Sequence, residues 1–199
     1  KRLLTVGTDC ALGKKYTALA LHQEMESQGF HADFRATGQT GILIAGSGIP
    51  MDALVSDFLV GAAEMLTPDA SPDHWDVIEG QGALFHPGFA PVSMGLLMGS
   101  QPDALVLCTE AGRDTIRGWD QFPTPDIQDV IDRNIDIARQ YNPAVRCVGI
   151  SANTVFLDDK ARPGYLHDLE DTYGLPAVDP LKGEGVRPIV EHLKAQSWA

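Results

Sequence analysis

The segment Leu3–Thr17 constrains the fold more than any other part of the chain. A short apolar run, Leu3–Val6, leads into a glycine-containing loop that ends in Gly13-Lys14, and a segment with helical spacing of apolar residues follows. This strand–loop–helix order is typical of a phosphate-binding loop, in which backbone N–H groups, a helix N-terminus and a lysine surround an anion. The residues predicted to contact cofactor phosphates are Thr8, Asp9, Cys10, Ala11, Leu12, Gly13, Lys14, Lys15 and Tyr16.

The loop departs from the usual phosphate-loop motif at two positions. Counting back from Lys14, the usual first glycine falls on Thr8, and Gly7 stands one residue earlier. Lys15 takes the place of the Ser or Thr whose hydroxyl commonly holds Mg²⁺. The sequence therefore predicts phosphate binding without a metal ligand, unless Thr17 supplies the missing hydroxyl in a shifted register.

Short apolar runs alternate with segments of helical periodicity along most of the chain. The runs are continuous and bounded by turn residues, as expected for strands that helices cover on both faces. This alternation predicts an α/β fold, a three-layer α/β/α sandwich around a mostly parallel sheet. The predicted strands are Leu3–Val6, Ala32–Ala36, Val77–Glu79, Ala104–Thr109, Cys147–Ser151 and Ala177–Val178. The predicted helices are Lys14–Gln28, Met51–Leu66, Ile127–Tyr141, Tyr165–Tyr173 and Val186–Ala195.

Composition favours one domain over residues 1–199 and excludes several classes of partner. Hydrophobic residues make up 44% of the chain, enough for a core, and no apolar run predicts a membrane span or a signal peptide. A net charge of −12 disfavours nucleic acid, because its phosphate backbone would be repelled. Three cysteines, odd in number and far apart, favour a reducing, cytoplasmic compartment. Cys10 lies near a helix N-terminus that would stabilise a thiolate, so it is a candidate nucleophile; the alternative is that it serves as a small loop residue.

Basic and amide side chains follow two of the predicted strands, at the edge where parallel sheets bind their ligands. Arg35 and Gln39 follow the second strand, and Arg113 follows the fourth. Each can donate hydrogen bonds to a carboxylate or a phosphate, which makes them candidate substrate-binding residues. For Arg35 and Gln39 the alternative is a mobile glycine loop, Gly38–Pro50, beside an exposed arginine. For Arg113, in the loop Ala111–Pro125, the alternative is surface pairing with Asp114 or Asp120, which contributes little energetically.

Candidate catalytic residues follow the third strand. Glu79 closes this strand beside the predicted phosphate loop, where it is a candidate general base or an acid of a metal's outer shell. His86 is a second candidate for proton transfer, although a histidine before a proline is commonly a structural loop residue. Asn153, after the fifth strand, can present a donor and an acceptor to an adenine edge, and the segment Gly174–Gly185 would form a rigid wall of the base site.

Several of these motifs together resemble the dethiobiotin synthetase group of phosphate-loop proteins. This resemblance implies a P-loop NTPase-like fold with a basic residue facing the substrate, an acid at a metal site and an amide that reads adenine. The residues that carry it are Gly7–Asp9, Gly13, Lys14, Phe34, Arg35, Glu79, Gly80, Gly82 and Asn153.

A closer resemblance covers essentially the whole chain. The phrases GTDCALGKKYTAL, FRATGQTGILIAGSGIPMDALVSDF, VIEGQGALFHPG, GSQPDALVLC and GLPAVDPL are similar to the C-terminal P-loop domain of a family long described as of unknown function. One branch of that family contains D-glutamate N-acetyltransferases. In such proteins a Rossmann-like domain precedes the P-loop domain, and the start of this chain directly before a predicted strand suggests the same arrangement.

The resemblance implies a cytoplasmic, homo-oligomeric enzyme that transfers the acetyl group of acetyl-CoA to the amine of D-glutamate. Coenzyme A needs a phosphate cradle and an adenine pocket but no Mg²⁺, which suits a loop ending in Lys14-Lys15. Transfer to an amine needs a base, donors for the oxyanion such as the N–H groups of Gly80–Gly82, and cations for the acceptor carboxylates. The candidates for the base and for the cations are Glu79, His86, Arg35 and Arg113. Two alternatives stay open, an ATP- and Mg²⁺-dependent synthetase or kinase and a non-catalytic nucleotide-binding module.

Overall fold

A six-stranded parallel sheet forms the centre of the computed structural model, which describes residues 1–198. The strand order across this sheet is β2-β3-β1-β4-β7-β8, so β1 lies in its interior, while β5 and β6 form a separate antiparallel hairpin. The strands are β1 (Arg2–Gly7), β2 (His31–Arg35), β3 (His74–Ile78), β4 (Ala104–Glu110), β5 (Thr115–Ile116), β6 (Trp119–Pro123), β7 (Arg146–Asn153) and β8 (Ala177–Val178).

Helices cover both faces of the sheet. They are α1 (Lys14–Ser27), α2 (Gln39–Ala45), α3 (Leu59–Leu66), α4 (Ala90–Ser100), α5 (Ile127–Ala138), α6 (Ala161–Tyr173) and α7 (Arg187–Ala195). Adjacent residues of β1 separate two cores: Leu3 packs in a cluster with α1 and α7, and Leu4 packs with α3, α4, α5 and α6. The predicted three-layer α/β/α sandwich with a parallel sheet is therefore confirmed. No helix in this described range has the length and hydropathy that crossing a membrane requires.

The prediction of one long helix over Met51–Leu66 is wrong. Two 3-10 turns precede α3, which begins only at Leu59. Between these turns Leu54 and Val55 are extended, with ψ angles of 148° and 134°, and they interrupt the helical path. Met51 and Leu59 are buried in the same core cluster, so the packing of apolar side chains overrides the local helical periodicity here.

Regular structure also occurs where the sequence did not predict it. The segment Gly38–Pro50 contains α2, and the segment Ala111–Pro125 contains the β5–β6 hairpin. Helix α4 was not predicted because its glycines have low helix propensity. A side chain at Gly99 would place its Cβ 2.3 Å from the carbonyl oxygen of Val60, so this glycine lets α4 pack closely against α3.

Candidate functional site

The loop between β1 and α1 curves around the N-terminus of α1. Gly13 caps this helix with a φ of 107°, and Ala11 has a φ of 53°, in the left-handed region that non-glycine residues rarely adopt. Thr8 anchors the start of the loop, since its N–H donates to the Cys108 carbonyl at 3.1 Å and its hydroxyl lies 3.3 Å from that of Thr109. The loop therefore surrounds the first N–H groups of α1, which have no helical partners and are suited to bind an anion.

A cavity of about 300 Å³ lies over this loop. Its walls are the loop residues Cys10–Tyr16 and the segment Glu79–Gly82 that follows β3. The Lys14 side chain is buried, and its ammonium donates to the carbonyl oxygen of Asp9 at 2.7 Å. Burial lowers the pKa of Lys14, and the neighbouring thiols and the Asp9 carboxylate oppose this shift only in part. An anion in the cavity would offer this ammonium a stronger partner than a neutral carbonyl.

A second cavity of about 350 Å³ adjoins the first and shares the walls Ala11–Gly13 and Tyr16 with it. Its other walls are Asn153, Val155 and the segment Asp179–Lys182. The structure thus brings Asn153 and the late segment of the chain together, as the sequence predicted. Aromatic, aliphatic and proline side chains beside one amide form a site suited to a flat, hydrogen-bonding ring.

A chain of hydrogen bonds connects the second cavity to the loop. The amide of Asn153 donates to Glu110 Oε2 at 2.7 Å, and Glu110 Oε1 accepts from Arg113 Nε and Nη2 at 2.9 and 2.7 Å. Arg113 Nη1 then donates to Asp9 Oδ2 and to the Cys10 carbonyl, both at 2.9 Å. The sequence pattern predicted no role for Glu110. Its position at the C-terminal end of β4, which matches that of Glu79 after β3, is the signal that would have identified it.

The Asp9 carboxylate stabilises the loop by accepting hydrogen bonds from Cys10, Arg113 and Arg117. Burial alone would raise the pKa of this carboxyl, but N–H donors from Arg117 and Cys10 and the guanidinium of Arg113 outweigh burial and lower its pKa. The Arg117 N–H, which donates at 2.8 Å, belongs to the β5–β6 hairpin, so Asp9 fastens that hairpin to the loop. Thr8 and Asp9 are both fully buried, and neither lines a cavity. Their side chains therefore shape the loop and do not face its interior.

Glu79 connects the first cavity to the turn that follows β2. Its Oε2 accepts hydrogen bonds from the N–H groups of Thr37 and Gly38 at 2.9 and 3.1 Å. Burial raises the pKa of Glu79, and the two N–H donors and the nearby Lys15 ammonium counter this shift only in part. A buried carboxylate with a raised pKa in the wall of a cavity is well suited to accept a proton from a ligand.

Gly80 brings the end of β3 into direct contact with β1. Its N–H donates to Thr5 Oγ1 at 2.9 Å, and a Cβ at this position would lie 1.7 Å from the Thr5 carbonyl oxygen. Glycine is required for this approach, which holds Glu79 beside the loop. Because the Gly80 N–H is used in this contact, the N–H groups of Gln81 and Gly82 are the ones that remain for a bound oxyanion.

His86 is buried and lines neither cavity. Its Nδ1 accepts from the N–H groups of Gly88 and Phe89 at 3.0 and 3.2 Å, so the proton of the neutral ring is on Nε2. That Nε2 has no hydrogen-bond partner among residues 1–198 and lies 3.9 Å from Asp9 Oδ1. Asp9, Cys10 and His86 lie close enough to share a metal ion, but a ligating imidazole must offer a lone pair and this nitrogen carries a hydrogen. The donor set therefore does not fit a metal.

The remaining predicted residues are paired or lie outside the two cavities. Arg35 Nε donates to the buried Asp76 at 2.6 Å, and Gln39 is exposed at the start of α2. The Thr17 hydroxyl is buried 2.8 Å from that of Ser151, so it faces the sheet and does not replace the hydroxyl that Lys15 lacks. Arg35 Nη2 also donates to Asp33 at 3.2 Å, so two nitrogens of this guanidinium already bind carboxylates of the protein.

The expectation of a stabilised thiolate at Cys10 does not hold. Burial and the adjacent Asp9 carboxylate raise the pKa of Cys10, and the lowering effects of Lys14 and Arg113 are smaller. Cys108, inside the sheet, has its pKa raised by burial to about 11. Both residues are free thiols, and their protonated form is the stable one at neutral pH.

A parallel sheet whose interior strand leads into a glycine-containing loop, a lysine and a helix defines a P-loop α/β domain. The chain belongs to the DUF1611 family, because residues 1–190 match the family described as "Domain of unknown function (DUF1611_C) P-loop domain". The family predicted from the sequence is thereby confirmed.

Two curated relatives of this chain are both named D-glutamate N-acetyltransferase. The chain is 52% identical over 193 residues to a D-glutamate N-acetyltransferase from Pseudoalteromonas sp., a match that covers 97% of this chain and 58% of the relative. It is 48% identical over 195 residues to a D-glutamate N-acetyltransferase from Tritonibacter scottomollicae, with 98% and 58% coverage. The chain therefore spans less than two thirds of the length of these relatives.

Solved structures agree with the fold. A crystal structure of a DUF1611 family protein from Anabaena variabilis superposes with a TM-score of 0.91 at 35% identity, over 98% of this chain and 57% of that one. Cobyrinic acid a,c-diamide synthase from Mycobacterium smegmatis, with bound ADP and magnesium, superposes with a TM-score of 0.55 at 16% identity, over 98% and 96% of the two chains. The second similarity concerns the fold alone.

Proposed function

We propose that this chain is the P-loop domain of an N-acetyltransferase that uses acetyl-CoA and acetylates the amine of D-glutamate. The observation that carries the proposal is the pair of adjoining cavities, one lined by Lys14 and Lys15 and the other by apolar side chains with Asn153. A coenzyme with a pyrophosphate next to an adenosine needs two such neighbouring sites. The names of the two relatives, at 52% and 48% identity, support the acetyl group and D-glutamate as the partners of the reaction.

The loop suits a pyrophosphate that is bound but not hydrolysed. Lys15 lines the cavity at the position where a nucleotide hydrolase presents a hydroxyl to Mg²⁺. The N-terminus of α1 and the ammonium groups of Lys14 and Lys15 would balance the phosphate charge without a metal. On binding, the Lys14 ammonium would exchange the Asp9 carbonyl for a phosphate oxygen.

Glu79 is the residue best placed to act as the base. Its Oε2 is held by two backbone N–H groups, and Glu79 lines the cavity that contains Lys14. Glu79 would take a proton from the acceptor ammonium, and the amine nitrogen would bond to the acetyl carbon. The C–S bond would then break, and the proton that the nitrogen loses on becoming an amide would go to the departing sulfur, which leaves as the thiol. The N–H groups of Gln81 and Gly82 would stabilise the negative oxygen formed on the way.

The carboxylates of the acceptor require cations, and the two candidate arginines are already occupied. Arg35 is paired with Asp76, and Arg113 is paired with both Asp9 and Glu110. Either arginine would bind a substrate carboxylate in competition with these carboxylates of the protein. The contacts of Arg113 favour a positioning role, in which it fixes the loop through Asp9.

Binding calorimetry with the intact protein tests the site. We expect acetyl-CoA to bind the wild type and Lys14→Ala to weaken this binding by about tenfold or more, since about 1.4 kcal/mol corresponds to a factor of ten. Lys160→Ala, which removes an exposed lysine that lines neither cavity, is the matched control and should bind normally. ATP with Mg²⁺ is offered in parallel. Preferential binding and hydrolysis of ATP would replace the proposal with the synthetase alternative, and equal affinity in Lys14→Ala would remove the loop from the site.

A further inference from the structure

Half of the lysines of this acidic chain line the two cavities. The chain has a net charge of −12 and contains only six lysines. Three of these line the cavities: Lys14 and Lys15 beside the loop, and Lys182 in the apolar cavity with Asn153. The first two are accounted for by a pyrophosphate. Lys182 is a cation in a site whose other walls suit a neutral ring, and no step of the proposed reaction involves it.

The turn that carries Lys182 is held in place by groups other than its ammonium. The buried carboxylate of Asp179 accepts hydrogen bonds from the Thr154 hydroxyl, from the Thr154 N–H at 3.2 Å and from the Leu181 N–H at 2.9 Å. The backbone of Lys182 is fixed as well, because its N–H donates to the Asp179 carbonyl at 3.2 Å and its carbonyl accepts from Gly185 at 3.0 Å. The Asp179 carboxylate therefore accepts hydrogen bonds from backbone and hydroxyl donors, while the Lys182 side chain is exposed.

We propose that Lys182 binds the 3′-phosphate of coenzyme A and so determines which adenosine ligand the domain accepts. The inference deepens the proposed function and rests on it. In coenzyme A the ribose connects the adenine to the pyrophosphate, so a phosphate on its 3′ oxygen lies near the junction of a base site and a pyrophosphate site. Lys182 lines the base cavity, and this cavity shares the walls Ala11–Gly13 and Tyr16 with the cavity over the loop. An ammonium there pairs with a phosphate that ATP and dephospho-CoA do not have.

Dephospho-CoA isolates this contact, because it differs from coenzyme A only by the 3′-phosphate. Dissociation constants for both ligands are measured by calorimetry on the intact wild-type protein, on Lys182→Gln, on the charge reversal Lys182→Glu and on the control Lys160→Ala. We expect the wild type to bind coenzyme A about two- to fivefold more tightly than dephospho-CoA, the range of a solvent-exposed charge pair. Lys182→Gln should abolish this preference by lowering the affinity for coenzyme A and leaving the affinity for dephospho-CoA unchanged. Lys182→Glu should reverse the preference. Lys160→Ala should keep it.

The outcomes separate the inference from the function on which it rests. If both ligands bind the wild type and Lys182→Gln keeps the full preference for coenzyme A, Lys182 does not bind the phosphate and the inference is overturned while the proposed function stands. Equal binding of the two ligands by the wild type would overturn the inference in the same way. If neither ligand binds the wild type, the proposed function fails and the inference fails with it. Thermal unfolding of each variant confirms that a lost affinity is not a lost fold.

Discussion

Replacement of Gly80 by alanine tests the contact that places Glu79 beside the loop. The added Cβ would lie 1.7 Å from the carbonyl oxygen and 2.8 Å from the carbonyl carbon of Thr5, both backbone atoms of an interior strand. Relief of this overlap requires the ends of β1 and β3 to separate, which would also break the Gly80–Thr5 hydrogen bond of 2.9 Å. Overpacking costs about 1–3 kcal/mol, and the lost hydrogen bond adds about 1 kcal/mol. We therefore expect Gly80→Ala to lower the free energy of unfolding by about 2–4 kcal/mol.

Gly164→Ala is the matched control for this change. Gly164 lies in the exposed part of α6, and a Cβ there would meet no atom of the described residues within 4 Å. The same substitution should stabilise the protein by about 0.5–1 kcal/mol, because alanine has the higher helix propensity. Urea unfolding of the two variants and the wild type gives the comparison. A Gly80→Ala protein as stable as the wild type would show that β3 does not approach β1 as described and would refute the reasoning.

Two further predictions follow from the charges at the site. Burial raises the pKa of Glu79 in the folded protein above 4.5, the ordinary pKa of a glutamate, so ionisation of Glu79 costs stability. Glu79→Gln should therefore gain stability relative to the wild type as the pH rises above 4.5. Urea unfolding over a pH series checks this, and a constant difference between the two proteins would contradict it. Arg113→Ala leaves the buried Asp9 without its cation and should cost about 1–3 kcal/mol of unfolding free energy together with affinity for acetyl-CoA. A loss of affinity with unchanged stability would instead indicate that Arg113 contacts the ligand directly.

The sheet and the cavity edge could be predicted because both follow from local pattern. Each central strand is a continuous apolar run with turn residues at its ends, and parallel strands place the residues that follow them along one edge. This rule is sufficient to place Glu79, Asn153 and the loop along the same edge of the sheet. Comparison with the phosphate-loop motif identified Lys15 as the position where the loop lacks the hydroxyl that commonly holds Mg²⁺.

The contacts of the individual charged side chains could not be predicted in the same way. Arg113 reaches Asp9 across 104 residues of sequence, and its nearer neighbour Asp114 offered an equally reasonable partner before the fold was known. Helix α4 depends on Gly99 fitting against Val60, a contact between helices that no local propensity reports. The tautomer of His86 is set by two backbone N–H groups that only the folded turn directs at Nδ1. Tertiary contacts determine these features, and the sequence pattern does not contain them.

Thiol release from acetyl-CoA by the intact protein is the most direct test of the proposed acetyltransferase activity. D-glutamate, L-glutamate and aspartate are offered separately, and the acetylated product is identified by mass. With D-glutamate as the acceptor, we predict that thiol and N-acetyl-D-glutamate form in equal amounts. We also predict that Glu79→Gln lowers kcat far more than it weakens acetyl-CoA binding, because the amide keeps the shape of the carboxylate and removes the base. Failure of the intact protein to release thiol with any of these amino acids would contradict the proposed function.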